Sequence, residues 1–231
     1  GETCYVLIAD HYSGKLYGEA LRSKRPPLDF INRWLLAYGL PRGGPDKYVR
    51  MDLGGKLGRC PEVVQMFERA GYKVEPTAPM SSHQNGPVER PNQTIGNAIR
   101  AMLSGAGQPA SFWPYAFHHY LRLYNLVPHG ERTKSLFEIC HNKKPNLRHL
   151  KTYGCRIYAL PARPRRPDKL LSDARTGIFL GYGRTLRNAL YYDIYMQNVK
   201  STQHLVFDEM FHDEDPKDRP PNARLLSHVI E

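Results

Sequence analysis

Two acidic residues stand in settings that could support chemistry. Asp52 closes the short β-type run Tyr48–Met51 and is followed by Gly54 and Gly55, which let backbone and ligand approach closely. Glu89 stands at the start of a long helical pattern, behind the loop-forming stretch Ser81-Ser82-His83-Gln84-Asn85-Gly86. A strand-end Asp and a helix-start Glu can converge on a hard cation such as Mg²⁺ or Mn²⁺, whose ligands are carboxylate and water oxygens. Without chemistry, the same residues read as an Asp capping a loop and a Glu complementing a helix N-terminus. Around Glu89, the side chains of Gln84, Asn85, Arg90, Asn92 and Gln93 can hydrogen-bond phosphate and sugar, as can Arg100 farther down the pattern; each can equally be a solvated polar residue. Arg163, Arg165 and Arg166 fall in a Pro-rich stretch and would suit a flexible arm on a nucleic-acid backbone. His118 and His119 sit among aromatic residues in mid-helix and read as packing or surface residues rather than metal ligands.

The elements that must position these residues are legible in outline. Cys4–Ala9 and Lys15–Leu21 flank His11-Tyr12-Ser13-Gly14, which predicts a β-hairpin. Leu28, Ile31, Leu35 and Leu36 recur at helical spacing until Gly39 and Pro41. Tyr48–Met51 predicts a strand, Pro61–Ala70 a helix with Val63, Val64 and Phe67 inward, and Tyr72–Glu75 another strand. Pro76–Gly86 is expected to be a surface loop, and a long helix begins at about Val88 with Ile95, Ile99, Met102 and Leu103 on its apolar face. Phe112–Tyr124 predicts a second, aromatic-rich helix. The Pro161–Pro167 stretch marks the expected domain boundary. Beyond it, Gly177–Tyr182, Ala189–Met196 and Thr202–Phe207 predict a small antiparallel barrel or sheet, followed by an acidic, Pro-containing tail with little fixed structure.

A chain of 231 residues holds a core domain plus a smaller module. Its 33 Lys and Arg against 22 Asp and Glu leave a formal charge of +11, the balance of a protein that neutralises phosphates. No apolar run is long enough to span a membrane, and Gly1–Ile8 lacks signal-peptide patterning, so the chain reads as excised from a longer one. The four cysteines, Cys4, Cys60, Cys140 and Cys155, offer no zinc-site spacing and read as thiols of an intracellular protein.

The ordered blocks along the chain resemble the integrase of copia-type LTR retrotransposons, a fragment of the Pol polyprotein. Asp52-Leu53-Gly54-Gly55 matches that family's D-x-G-G signature, and Gln84-Asn85-Gly86, Glu89-Arg90, Asn92 and Thr94 match its Q-N-G-x-x-E-R-x-N-x-T signature. Further matching blocks are Phe112-Trp113, Tyr124-Asn125, Phe137-Glu138, Lys144-Pro145, Tyr153-Gly154-Cys155, Gly177–Tyr182 and Val206–Glu209. The resemblance implies an α/β, RNase H-like (retroviral integrase-type) core, N-terminally truncated, over residues 1–125. It also implies a connecting segment over 126–168, a small SH3-like β module over 169–209 and a tail over 210–231.

The implied activity is strand transfer of element DNA into target DNA by a polynucleotidyl transferase. The implied catalytic and metal-binding residues are Asp52 and Glu89, the second and third members of a D,D,E triad holding two Mg²⁺ or Mn²⁺ ions. The first Asp belongs on a strand upstream of the hairpin. Ala9-Asp10-His11-Tyr12-Ser13-Gly14 resembles the D-D-Y-S turn segment that follows that strand, so Asp10 reads as marking a strand end, the alternative being that it stands in for the first Asp of the triad. The implied partners are double-stranded DNA and further copies of the chain; the implied setting is the nucleus and a cytoplasmic virus-like particle. Two departures stand out: Lys56 replaces an acid after the glycine pair, and the family's His/His/Cys/Cys zinc module is absent. They leave open a second reading, a catalytically dead or domesticated DNA-binding or assembly module, and a weaker third, another RNase H-like nuclease.

Overall fold

A computed structural model of the chain describes residues 1–39, 47–52, 57–77, 82–160, 174–183, 185 and 187–209; for residues 52, 76, 77 and 82–89 it describes the backbone. The chain divides into two compact units, Gly1–Thr94 and Ile95–Glu231. The expected boundary at Pro161–Pro167, with Arg163, Arg165 and Arg166, lies outside the described residues, as do Gly54, Gly55, Lys56, Ser81 and the tail from 210.

In the first unit, β1 (Cys4–Ala9) and β2 (Leu16–Leu21) form the expected antiparallel hairpin, with Cys4 opposite Leu21 and Ala9 opposite Leu16. Gly14, at φ 79°, turns the chain, and its N–H donates to the Asp10 carbonyl at 2.7 Å. Helix α1 (Leu28–Trp34) widens into a π-helical turn over Leu35–Gly39. β3 (Lys47–Asp52) and β4 (Tyr72–Thr77) pair in parallel, Lys47 opposite Tyr72 and Asp52 opposite Thr77. The link between them holds α2 (Pro61–Arg69), which starts with Pro61, where a missing N–H costs nothing.

Val6, Phe30, Ile31, Leu35, Val63 and Phe67 form one buried core, with Ile8, Tyr17, Val49, Met51 and Val74 packed against it, so both strand pairs rest on α1 and α2. Despite this shared core, the pairs are not hydrogen-bonded to each other among the described residues.

The relative direction of the two pairs follows from five contacts. Tyr17 packs on Tyr38 at 4.7 Å, and Lys47 Nζ donates to the neighbouring Gly39 carbonyl at 3.4 Å. The Trp34 ring lies 5.9 Å from Tyr17 and 6.3 Å from Tyr72. The Asp10 carboxylate is near enough to Tyr72 to help burial, the larger effect, raise the phenol's pKa. The start of β2 therefore adjoins the starts of β3 and β4, and β1 runs antiparallel to β3.

Helix α3 (Ser82–Gly105) departs from expectation: it begins six residues before Val88 and absorbs the second half of the predicted loop. Pro87 and Pro91 each remove one N–H from its ladder, yet at a spacing of four they fall on one face, and the rest of the ladder continues. The prolines and Gly86 are why the pattern reads as a loop.

In the second unit, Ile95, Ile99 and Leu103 bury the apolar face of α3, as expected. A 3₁₀ turn, Ala110–Phe112, leads into α4 (Trp113–Leu126). A short helix not anticipated from sequence, α5 (Leu136–His141), is capped by Ser135, whose Oγ accepts from the Glu138 N–H at 3.1 Å. Five strands follow: β5 (Arg156–Ala159), β6 (Arg175–Tyr182), β7 (Ala189–Asp193), β8 (Asn198–Thr202) and β9 (Leu205–Asp208).

Their antiparallel sheet has the order β8-β7-β6-β5-β9, a four-strand meander whose fifth strand returns to the first. Its first strand precedes the Pro/Arg stretch. The predicted run Thr202–Phe207 is two strands divided at Gln203-His204, and Ala189–Met196 ends early at Asp193. Asp193 is fully buried, and its carboxylate accepts from Lys200 Nζ at 2.7 Å and from the Tyr195 and Met196 N–H groups at 3.1 and 3.0 Å. Burial pushes that carboxyl up, but the Lys200 ammonium and the two amides outweigh it and hold it below the usual carboxylate range. No described helix is long and apolar enough to cross a membrane.

Candidate functional site

Strand β3 ends at Asp52, the final position of its parallel pairing with β4, so the residue sits at the lip of the strand pair as expected. Glu89 lies within α3, seven residues from its start rather than in its first turn. This position takes Glu89 out of reach of the helix dipole, whose favourable interaction with an acid is confined to the first turn. Gln84 and Asn85 also belong to α3. The side chains of Asp52, Gln84, Asn85 and Glu89 lie outside the described residues.

One turn beyond Glu89, the Asn92 side chain does not face solvent freely: its Oδ1 accepts from the Tyr5 hydroxyl at 3.3 Å. This bond, which sequence reasoning did not anticipate, ties α3 to the beginning of β1. Because β1 is antiparallel to β3, the beginning of β1 lies at the same end of the unit as Asp52. The helical segment carrying Glu89 and the strand end carrying Asp52 are thus brought to one end of the first unit. Arg90 and Gln93 are exposed there. Arg100 is exposed farther along α3, with its Nη2 donating to Asn97 Oδ1 at 2.5 Å.

Asp10 lies at the opposite end. It follows β1 where the starts of β2, β3 and β4 gather, and β4 separates that end from Thr77, opposite Asp52, by five residue steps, roughly 17 Å. Its carboxylate is also occupied, accepting from the Ser13 hydroxyl and from the Ser13 N–H at 3.1 Å, and so holds the hairpin turn. Asp10 is a turn residue, as the sequence suggested. Among the described residues, no group of three or more His, Cys, Asp or Glu side chains could hold a metal ion.

The two histidines of α4 part company. His119 is buried, stacked on Tyr182 at 6.0 Å and set edge-on to Phe179 at 5.7 Å, a packing residue as predicted. Burial, reinforced by the Arg122 guanidinium, lowers its pKa to about 4. His118 packs edge-on against Phe117 at 5.2 Å. The cysteines are free thiols, and burial raises Cys155 to about 12, which makes it unreactive.

No protein-family model matches the chain. Among curated proteins it is similar to the "Retrovirus-related Pol polyprotein from transposon TNT 1-94" of Nicotiana tabacum, 29% identical over 90% of the chain and 16% of that protein. It is likewise similar to two Arabidopsis thaliana proteins, the Pol polyproteins from transposon RE1, at 30% over 63% of the chain and 10% of that protein, and RE2, at 31% over 89% and 14%. The chain therefore spans about a sixth or less of each of these relatives. Among solved structures it is similar, at 12% identity and a TM-score of 0.47, to a chain of a simian T-cell lymphotropic virus intasome in complex with PP2A regulatory subunit B56 gamma, covering 88% of this chain and 74% of that one. The relatedness to the three polyproteins, continuous over most of the sequence, places the chain in the family of copia-type retrotransposon Pol polyproteins, as one segment of them.

Proposed function

We propose that this segment is the integrase part of its polyprotein, an RNase H-like core with a DNA-binding β module, which in the longer protein processes and joins element DNA ends to target DNA. The observation that carries the reading is the Tyr5–Asn92 bond, which ties the Glu89-bearing helix to the beginning of β1, at the end of the first unit where β3 stops at Asp52. The separation of the strand pairs supports it: β1 and β3 run antiparallel and share one core, yet among the described residues the two pairs are not hydrogen-bonded to each other, as expected if an intervening strand belongs between them. Such a strand, supplied from sequence preceding the hairpin, would run parallel to β3 and bring the first Asp of the triad.

Asp52 and Glu89 fit divalent Mg²⁺ or Mn²⁺ by donor type, since both offer only carboxylate oxygens. Bound there, the ions would supply Lewis-acid activation of the attacking hydroxyl and stabilisation of the leaving oxygen. The residues of the chain do the rest: Asp52 and Glu89 hold the charge in place, Arg90 and Gln93 are exposed to donate to phosphate oxygens, and Asn92 anchors the helix to β1. Duplex DNA and further copies of the chain are the proposed partners, and the nucleus is the proposed setting.

The test is end joining with pre-processed duplex ends and Mg²⁺ or Mn²⁺, comparing this chain with a version extended at its N-terminus. The extended protein should join ends, Asp52→Asn or Glu89→Gln should abolish joining with the circular dichroism spectrum unchanged, and the 231-residue chain should be inactive. If the short chain joins ends and Asp10→Asn stops it, the assignment of the triad is wrong. If a folded extended chain binds DNA but never joins ends, the second reading takes over: a catalytically silent DNA-binding module, in keeping with Lys56 where relatives carry an acid.

A further inference from the structure

The link between β2 and α1 is a short basic turn, Arg22-Ser23-Lys24-Arg25, closed by Pro26 and Pro27. Both of its ends are fastened. The Thr3 N–H donates to the Leu21 carbonyl at 2.8 Å, Thr3 Oγ1 to the Arg22 carbonyl at 3.1 Å, and the Leu28 N–H to the Pro26 carbonyl at 3.0 Å. Ser23 Oγ accepts from the Arg25 N–H at 3.4 Å across the turn. All four residues from Arg22 to Arg25 are exposed, and among the described residues none of the three cations has an ion-pair partner.

Several other basic side chains of the first unit are engaged, whereas Arg69 and Arg90 stand singly. Arg33 pairs with Glu19 and Arg50 with Glu75 at 3.0 Å. Lys15 lies over the rings of Tyr17 and Tyr38, Lys47 over Tyr72 and Lys73 over Tyr48, at 5.0 to 5.7 Å. The unneutralised charge of Arg22, Lys24 and Arg25 is therefore concentrated on one pre-shaped turn. Its place in the fold adds to this. β2 ends where β1 begins, and that is the end of the unit where β3 terminates at Asp52 and where Tyr5 holds α3 through Asn92.

We propose that the Arg22–Arg25 turn is a phosphate clamp that grips the backbone of duplex DNA beside the Asp52/Glu89 end of the unit. The occupant follows from charge and shape: three cations spaced over four residues on a turn whose backbone is braced match consecutive phosphates of a polyanion, and little backbone entropy remains to be lost on contact. The clamp rests on the integrase reading for its partner but on none of the metal chemistry, so it reads out as binding.

The experiment measures the affinity of the whole chain for a fluorescent duplex of random sequence by anisotropy, between about 50 and 200 mM salt. The variant Arg22→Ala/Lys24→Ala/Arg25→Ala is compared with a control that removes the same formal charge elsewhere, Arg33→Ala/Arg50→Ala/Arg69→Ala. Folding of both is checked by circular dichroism. Loss of three phosphate contacts should make the slope of log affinity against log salt shallower by about 2 to 3 and weaken binding at about 0.1 M salt at least tenfold, with the control much less affected. Equal losses in the two variants, or none in the turn variant, overturn the clamp while leaving the integrase reading intact. A wild-type chain with no salt-dependent affinity for duplex DNA would instead overturn the DNA-binding part of that reading, and the clamp with it.

Discussion

Acidification should loosen the second unit through a single side chain, His119. Its imidazole is buried among Tyr182, Phe179 and Tyr153, its Nδ1 has no hydrogen-bond partner among the described residues, and the Arg122 guanidinium lies nearby. A proton there meets neither solvent nor an anion. In the folded chain the group titrates at about 4, against 6.5 for an ordinary histidine. Between those values the unfolded chain binds the extra proton and the folded chain does not. The stabilisation is therefore intact above about pH 6.5, declines as the pH falls through the window and levels off below about 4. At about 1.36 kcal/mol per unit, the full loss is roughly 3 kcal/mol, of which about 2 kcal/mol falls between pH 7 and 5.

Urea denaturation at these two pH values, followed by circular dichroism, should show that difference in the wild type, and His119→Phe should lose about 2 kcal/mol less over the same interval. Variant and wild type share every other titrating group, so subtracting their pH dependences isolates the imidazole. Parallel stability curves for the two proteins, or an imidazole NMR titration midpoint near 6.5, would refute the argument.

Asp193→Ala should destabilise the β7–β8 hairpin by about 2 to 3 kcal/mol, because it leaves Lys200 and the Tyr195 and Met196 amides without their shared acceptor; an unchanged thermal melt would contradict this. Gly177→Ala places a methyl group 2.6 Å from Tyr191 Cδ2 and 2.8 Å from the Tyr192 carbonyl, and should cost about 1 to 3 kcal/mol, measured as a lower urea midpoint. In the joining assay, Asp52→Asn and Glu89→Gln should each remove the activity of the extended chain while leaving its melting temperature within a few degrees of the wild type.

Periodicity located most elements because a one-sided core writes itself into spacing. Val63 and Phe67 mark the inward face of α2, and Ile95, Ile99 and Leu103 that of α3, with boundaries within a residue or two for β1, β2 and α2. Failures came where local chemistry competed with the pattern. Gly86, Pro87 and Pro91 hid the first turns of α3, displacing Glu89 from an expected helix start into a helix interior. The short β5 offers only Ile157 and Ala159 as buried alternates, too few to stand out, and its partners arrive far later in the chain. Helix α5 could have been found, since Ser135 followed three residues later by Glu138 is a capping-box signature. At the site, residue types and the glycine pair singled out Asp52, but only tertiary contacts could separate it from Asp10, because antiparallel strand direction is not encoded in either residue's neighbours. The Tyr5–Asn92 bond spans 87 positions and has no local signature.

The return of β9 to β5 has a bearing on how the second unit is made. Arg156 pairs with Asp208, and just beyond that strand Glu209 accepts from Lys151 Nζ at 2.5 Å and from the Thr152 N–H at 3.1 Å. Hairpin pairings such as β7–β8 can close as soon as each turn leaves the ribosome, since they join near neighbours. The β5 edge must wait until some fifty further residues have been translated before its partner exists. Through that interval the nascent chain carries an open strand edge with Val206 and Phe207 still unmade, the state in which mispairing between neighbouring nascent chains is easiest. A premature stop ahead of Leu205 would make that vulnerable interval permanent, removing the fifth strand and the Glu209 clasp in a single event.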